Sequence, residues 1–573
     1  MIVHNTDVAA IFYRLAELLE IEGANPFRVR AYRRAAATVE DLPEPAAALI
    51  ARGGDLTELP GIGDDLAGKI REICETGRLR ALEEVEARTP SALAQLTAIP
   101  GLGPKRVKAL HDALGVRSID DLARAAAAGR VRALPRFGPA FEKKLLAALK
   151  TPPPTEERRL RISNAEEYAT AMVNYLAKQP GVGRVEVAGS YRRRRETVGD
   201  LDILACARDG AAVADAFAAY EEVEEVIAKG PTRVTVRLEG GLQVDLRIIP
   251  EESYGAALVY FTGSKDHNIA LRRRAQADGL KINEYGVFRG EVSIAGRSEE
   301  EVYRTVGLPF IPPELREDRG EIEAAAGGRL PALVRASDLR GDLHVHTRDS
   351  DGKSTLPEMV EAARARGYAY VAVCDHSQHA RVAHGLDASR LSAQIDEIDR
   401  LNAADPGIEI LKSCEVDILR SGKLDLPNSV LSRLDVVIAA VHSDFDLPAP
   451  AQTDRLLRAM DNPYVHILAH PTGRLIRERP GYEVDLEAVM RGAKSRGCFL
   501  EINAHPSRLD LNDIHSRAAK AMGVKLAISS DAHSTVGLAN IRFGVDQARR
   551  GWLECNDVLN TRSWPELKAI LAR

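Results

Sequence analysis

At 573 residues the chain has room for about three or four domains of ordinary size, each able to bury its own core. Hydrophobic residues at 45% and charged residues at 28% fit a globular protein, and no run approaches the ~20 apolar residues of a membrane span. The net charge of -5 says nothing for nucleic acid overall, and six cysteines without CxxC spacing predict reduced thiols, no disulfides and a cytoplasmic setting.

The first stretch, MIVHNTDVAAIFYRLAELLE, has the pattern of an amphipathic helix with acidic residues rather than that of a cleaved leader. Two segments, LPGIGDDLAGKI (59 to 70) and IPGLGPKRVKAL (99 to 110), then repeat a turn of Pro and two Gly followed by a helix; LPRFGPAFEKKL (134 to 145) is a degenerate third copy. They resemble helix-hairpin-helix elements, whose glycines allow backbone amides to approach a DNA phosphate without reading sequence. Residues 101 to 150 hold 11 Lys and Arg against 4 Asp and Glu, a basic face within an acidic protein. The first 90 or so residues also resemble the small lyase domain of family X DNA polymerases, through NPFRVRAYRRAA (25 to 36) and PGIGDDLAGKI. Lys69 falls at that domain's Schiff-base lysine, but Asp64 and Asp65 beside it favour the protonated ammonium, which is no nucleophile. A surface helix lysine is the competing reading. TPPPTEE (151 to 157) reads as a hinge.

In EVAGSYRRRRETVGDLDIL (186 to 204), the period of two turns Asp200 and Asp202 to one face of a strand. Two adjacent carboxylates are tolerable around a divalent cation, and oxygen ligands of this kind suit Mg²⁺ or Mn²⁺. The four arginines and Ser190 read as phosphate ligands. With LQVDLRII (242 to 249), LVYFTGSKDHNIALRRRA (258 to 275) and INEYGVF (282 to 288), this stretch resembles the palm and nucleotide-binding subdomains of family X DNA polymerases. The resemblance implies that Asp200, Asp202 and Asp245 hold two metal ions, with Asp245 placed to help deprotonate the primer 3′-hydroxyl. It implies further that Ser190 and Arg193 hold the triphosphate, Tyr260, Phe261 and Gly263 lie beside the sugar, and Lys265 adds a cation near the nucleotide. Asn268 matches a minor-groove contact at the nascent pair and Arg272 a template-side contact. Another nucleotidyltransferase is the alternative within the same superfamily.

The stretch from Ile311 to Leu339, with PP, REDRGE and AAAGG, predicts a poorly packed connector. Beyond residue 338 lie 11 of the 14 histidines. DLHVHTRDSDG, VAVCDHS, SCEVDIL, VHSDF, LAHPTG and ISSDAHS mostly follow short apolar runs, and they resemble the PHP (polymerase and histidinol phosphatase) domain, a distorted (β/α)₇ barrel with ligands at the C-terminal strand ends. That resemblance implies one metal among His344, His346, Glu415 and Asp531, a second at Glu415, His442 and His470, and a third at Asp351, His376 and His533. Imidazole and carboxylate together suit Mn²⁺ or Zn²⁺, up to three ions. Cys414, where the family often has glycine, departs mildly. His379, His384, His466, His505 and His515 read as core or surface residues.

The expected architecture is multidomain. A lyase-like helical domain with helix-hairpin-helix (1–90) and a second helix-hairpin-helix subdomain (91–150) precede an α+β nucleotidyltransferase palm (151–250) and a nucleotide-selecting thumb (251–315). A linker (316–338) and a PHP barrel (339–573) follow. The implied function is a family X DNA polymerase filling short gaps in base-excision-type repair, with a PHP 3′-5′ exonuclease, abasic-site endonuclease as a further expectation, and His442 among the catalytic groups. Expected partners are gapped or primer-template DNA and dNTPs, with no membrane, for a monomeric protein. The competing classes are a metallophosphoesterase that uses a polymerase-like module to grip DNA, and a non-enzymatic repair scaffold.

Overall fold

The computed structural model describes all residues except 1, 2, 98, 100, 136, 151–158, 405, 406 and 573. The predicted hinge at 151–157 therefore lies outside the described residues. The chain divides into two compact units, Met1–Arg159 and Leu160–Arg573.

The first unit is helical. Helix Asn5–Glu22 buries Phe12, Leu15 and Leu18 at its centre and packs on helices Pro26–Glu40, Arg80–Glu86 and Pro104–Leu114. Both clear hairpin copies fold alike. Gly61 and Gly101 take φ of +73° and +87°, a region closed to most side chains, and Gly63 and Gly103 then cap helices Asp64–Thr76 and Pro104–Leu114. The degenerate copy also leads into a helix, Pro139–Lys150, although Arg136 in its turn lies outside the described residues.

The second unit holds three layers of function. Its palm is a five-stranded sheet in the order Val182–Val187, Asp200–Ala207, Gln243–Ile249, Arg233–Leu238, Val223–Lys229. The central pair, Asp200–Ala207 with Gln243–Ile249, is parallel, and its neighbours pair antiparallel. Helices Tyr254–Thr262 and Lys265–Ala277, a three-stranded antiparallel sheet and helix Glu299–Thr305 form the thumb. Seven parallel strands follow in sequence order, from Gly341–Val345 to Leu526–Ser529. Val345 bridges Ala532 across the ends of the first and last strands, and Asp531 N donates to the His344 carbonyl at 3.0 Å, so the sheet nearly closes into a barrel.

The first half of the stretch expected to be a loose connector, residues 311 to 325, is instead well packed, while most of residues 326 to 338 are exposed as expected. Arg316 is wholly buried, donating to the Ile311 carbonyl at 2.8 Å and Glu299 at 2.6 Å with its guanidinium near the Tyr303 and Phe310 rings. Glu321 is wholly buried against Nδ1 of His267 at 2.6 Å, and Nε2 of that imidazole lies 2.9 Å from the Tyr303 hydroxyl. Charges that looked solvated in REDRGE are paired inside the fold, and composition does not reveal pairing.

Candidate active sites

The palm carboxylates meet through strand register. Parallel pairing sets Asp202 opposite Asp245, and Asp200 lies two residues earlier on the same strand. Gly189 explains the Gly-Ser of the motif: its φ is +60°, and a Cβ there would lie 2.5 Å from Oδ2 of Asp202. Burial, then the neighbouring Asp200 and Asp245 charges, push Asp202 up to about 7. Asp245 goes the other way. Burial would raise it, but Thr235 Oγ1 at 2.6 Å, Gln243 Nε2 at 2.8 Å and Arg233 at 3.2 Å hold it below the usual carboxylate range. These three supports were not apparent from the sequence, although Gln243 stands two residues before Asp245, on the same face.

Ser190 follows the Gly189 that abuts Asp202, and the other nucleotide-binding candidates are linked among themselves. Ser190 Oγ is buried without a hydrogen-bond partner. Arg193 donates to the Thr262 carbonyl at 2.5 Å and lies against Gly263. The Tyr260 and Phe261 rings meet edge-on at 5.2 Å, Asn268 donates to the Tyr260 carbonyl at 2.6 Å, and Arg272 donates to the Asn268 carbonyl at 3.3 Å. Lys265 opens the helix that carries Asn268 and Arg272.

Reading all four arginines as phosphate ligands requires correction. Arg192 is engaged by Glu186 and Glu299 at 2.7 Å each. Arg193 and Arg195 share Glu317, while Arg194 stacks on Tyr191 and faces Glu166 and Asp546. The run chiefly joins palm, thumb and barrel. The same seam contains the bidentate pair Arg474–Glu196 and an apolar contact of Ile162 with Ile476, Leu509 and Phe543.

All nine PHP candidates gather at the C-terminal end of the barrel. Glu415, 1% exposed, is the hub: Oε1 lies 2.9 Å from His470 and 3.2 Å from His442, and Oε2 lies 2.8 Å from His376 and 3.5 Å from His344. Asp531 faces His346 at 3.1 Å, and Asp351 faces His533 at 3.3 Å and His376 at 3.6 Å. Ligand atoms come together in three groups: His346 with Asp351, His376 and His533; His344 with His346 and Asp531; and His376 with Glu415 and His442. His346 and His376 each serve two groups, a sharing the expected partition does not contain.

The electrostatics suit cations. Burial opposes charge on His344, but Glu501, Asp531 and Glu415 carry its pKa well above the ordinary value, and Glu415 and Asp417 likewise lift His442 to about 10. His346, buried and beside His533 and His376, falls to about 4. The directions follow the neighbours: imidazoles beside buried carboxylates are held up and the imidazole among imidazoles is held down. Nε2 of buried His344 has no hydrogen-bond partner, while its Nδ1 lies 2.8 Å from Glu501. Asp417 holds His442 Nδ1 at 3.0 Å, and Asn503 holds Asp531 at 2.9 Å. Fixing one imidazole nitrogen so that the other points at an ion is how metal sites are built, and the residues fit divalent ions. His470 and Asp531 take φ of +27° and +54°, two of the nine non-glycine residues with positive φ among the described residues. Glu501, Asn503 and Asp417 were missed in the sequence; FLEIN and SCEVDIL show them at a spacing of two. Cys414 is buried and donates to the Asp375 carbonyl at 3.1 Å.

Lys69 pairs with Asp65 one helical turn away, and its ammonium lies 6.0 Å from the Tyr32 ring centre.

A nucleotidyltransferase palm and thumb behind helix-hairpin-helix elements, fused to a histidine-rich barrel, defines the class. The family comparisons agree: helix-hairpin-helix domain (residues 3–79), SAM-like helix-hairpin-helix tandem (93–151), DNA polymerase beta palm (159–238), DNA polymerase beta thumb (257–317) and PHP domain (342–505). The chain is 39% identical over 576 residues, the whole of both proteins, to the DNA polymerase/3'-5' exonuclease PolX of Bacillus subtilis. Probable phosphatases of Thermoanaerobacter sp. and Acetivibrio thermocellus, 32% and 33% identical, match 38% of this chain and 89% and 90% of their own lengths. The chain belongs to the family X DNA polymerases that carry a C-terminal PHP domain.

Proposed function

We propose that the chain fills short gaps in damaged DNA by adding nucleotides at the palm and removes 3′-terminal nucleotides at the PHP site. The observation that carries this reading is the parallel register setting Asp202 against Asp245 beside Asp200, in a chain that separately gathers eight histidines and carboxylates into candidate metal groups, with His470 against Glu415 as the ninth. When bound, Mg²⁺ or Mn²⁺ at the palm and up to three Mn²⁺ or Zn²⁺ ions at the PHP site supply the positive charge that a phosphoryl group in transfer requires.

The residues supply the rest. Asp200, Asp202 and Asp245 hold the palm ions, and Asp245, kept ionised by Thr235, Gln243 and Arg233, is available to accept the primer hydroxyl proton. Ser190 and Arg193 hold the triphosphate, and Tyr260, Phe261, Gly263, Lys265 and Asn268 shape the nucleotide's place, with Arg272 toward the template. At the second site His344, His346, Asp351, His376, Glu415, His442, His470, Asp531 and His533 hold the ions. Hydrolysis leaves the phosphate on the departing nucleotide and frees the 3′-oxygen of the shortened strand; His442, which keeps 22% side-chain exposure and is held at Nδ1 by Asp417, turns Nε2 toward Glu415 and the ions there. Hairpin amides and exposed Lys105, Arg106 and Lys108 bind DNA phosphates. Lys69, whose side chain keeps 17% exposure and is held by Asp65 one turn away, serves the helix rather than a Schiff base. One chain carries both sites, in keeping with a monomer, and its substrates and six cysteines outside any disulfide fit the cytoplasm. A phosphomonoesterase reading, raised by the phosphatase relatives, would leave the palm triad without a task.

A single gapped duplex labelled at the primer 5′ end tests the reading. With dNTPs and Mg²⁺ the primer should lengthen; without dNTPs and with Mn²⁺ it should shorten. A primer unchanged under both conditions would remove the proposal.

A further inference from the structure

The PHP barrel reaches into the nucleotide-binding stretch of the palm. Arg550 ends helix Ile541–Arg550 and keeps 3% side-chain exposure. Its Nη1 donates to the Arg193 carbonyl at 2.6 Å and to Oε1 of Glu317 at 3.0 Å, and its Nη2 donates to Asp513 at 2.8 Å. Glu317, 8% exposed, also accepts from Nε of Arg193 at 3.1 Å. The other side of Arg193 is fixed by its bond to the Thr262 carbonyl, against Gly263. A barrel arginine thus grips both the backbone of Arg193 and the carboxylate that aims its guanidinium.

Buried ion pairs of this kind carry a heavy desolvation cost, and apolar residues often stabilise a fold as well. An arginine on its flexible stem loses much rotamer freedom when it binds a phosphate, and a side chain already held loses less. We propose that Arg550 is a positioning residue of the polymerase nucleotide site: acting through Glu317 and the Arg193 carbonyl, it pre-sets Arg193 for the triphosphate, so that the PHP domain is a structural part of dNTP binding. The inference rests on the reading of Arg193 as a triphosphate ligand.

Single-nucleotide insertion on gapped DNA by the full chain tests it, with 3′-end degradation as the check on folding. Arg550→Ala should raise KM for the dNTP roughly tenfold, the scale of a hydrogen bond to a charged group, while kcat stays within about twofold. Arg550→Lys, which retains one charged donor, should fall between. Combined with Arg193→Ala, either change should add nothing further, because its effect passes through Arg193. An unchanged KM in Arg550→Ala, or an effect that multiplies that of Arg193→Ala, would overturn the proposal. Should Arg550→Ala lose exonuclease through misfolding, Arg550→Lys is read in the same cycle. If Arg193→Ala itself leaves KM unchanged, it is the underlying assignment of Arg193 that fails.

Discussion

The two sites of the larger unit solve one problem, holding cations against phosphate, in opposite ways. At the palm three carboxylates face one another on neighbouring strands, Asp200 is exposed, and Asp202 is forced up to about 7. At the barrel every carboxylate ligand lies against imidazoles, His344 and His346 are wholly buried, and Glu501, Asp417 and Asn503 orient the ligands from behind. A site of mutually repelling oxygens is expected to be completed by ions that arrive with the nucleotide. A site of buried, pre-oriented nitrogens and oxygens is expected to keep its ions between turnovers.

The largest effect should come from emptying one site at a time. Asp200→Ala with Asp202→Ala removes the oxygens that hold the palm ions, so nucleotide addition should fall by about a thousandfold or more while 3′-end degradation persists. His344→Ala with His346→Ala should do the reverse, leaving addition in Mg²⁺ intact. Primer assays read both activities. Loss of both with the palm aspartates, and of neither with the histidines, would make the barrel purely structural.

Stripping the metals sharpens the contrast next. After exhaustive chelation, Mg²⁺ should restore polymerisation, whereas 3′-end degradation should need Mn²⁺ or Zn²⁺ and run on the order of a hundredfold slower in Mg²⁺ alone. Metal analysis of the purified protein should find ions that the His344 and His346 double variant lacks. Full exonuclease activity in Mg²⁺ alone would contradict the assignment.

A smaller effect concerns pH. Asp202 is raised to about 7 by burial and by Asp200 and Asp245, so in acid an incoming cation must displace its proton. The Mg²⁺ concentration for half-maximal polymerisation should therefore rise as pH falls below about 7, up to roughly tenfold per pH unit, and level off above it. A requirement flat from about pH 6 to pH 8 would show that Asp202 is already ionised without metal.

Much of this contrast can be read in the sequence, with limits set by what each pattern encodes. Alternation in GDLDIL places Asp200 and Asp202 on one face, but pairing with Asp245 depends on the register of a strand some forty residues on, which alternation does not specify. Apolar runs such as YVAVC and VVIAA mark barrel strands, so the ligands after them cluster by topology alone. Glu501 escapes because a carboxylate that orients a histidine looks like any strand glutamate until His344 lies 2.8 Å away. The arginine run misleads for a related reason. Guanidinium groups suit phosphates and buried carboxylates equally, and Glu299 and Glu317, which engage Arg192 and Arg193, lie more than a hundred residues downstream.

The smallest prediction lies in the seam between the two sites. Asp546, on barrel helix Ile541–Arg550, stands 3.9 Å from Arg194 of the palm. Burial, reinforced by Glu314 and Glu166, holds its pKa up at about 6 against the attraction of Arg194. The folded protein thus binds this proton more tightly than the unfolded chain, whose carboxyl titrates at the ordinary 3.8. Ionisation then costs stability: the cost is absent below about pH 4, grows as pH rises to about 6, and is complete above that. The side chain keeps 19% exposure, so water offsets part of the cost and ~1 kcal/mol is the expected scale. Asp546→Asn, which cannot ionise, should therefore be the more stable protein by about that amount near pH 7.5, with the advantage gone near pH 4. Denaturation midpoints of both proteins across this range measure it. If the variant is instead less stable near pH 7.5, the Arg194 ion pair outweighs the burial cost, and the charged contacts of the seam hold palm and barrel together rather than merely being tolerated between them.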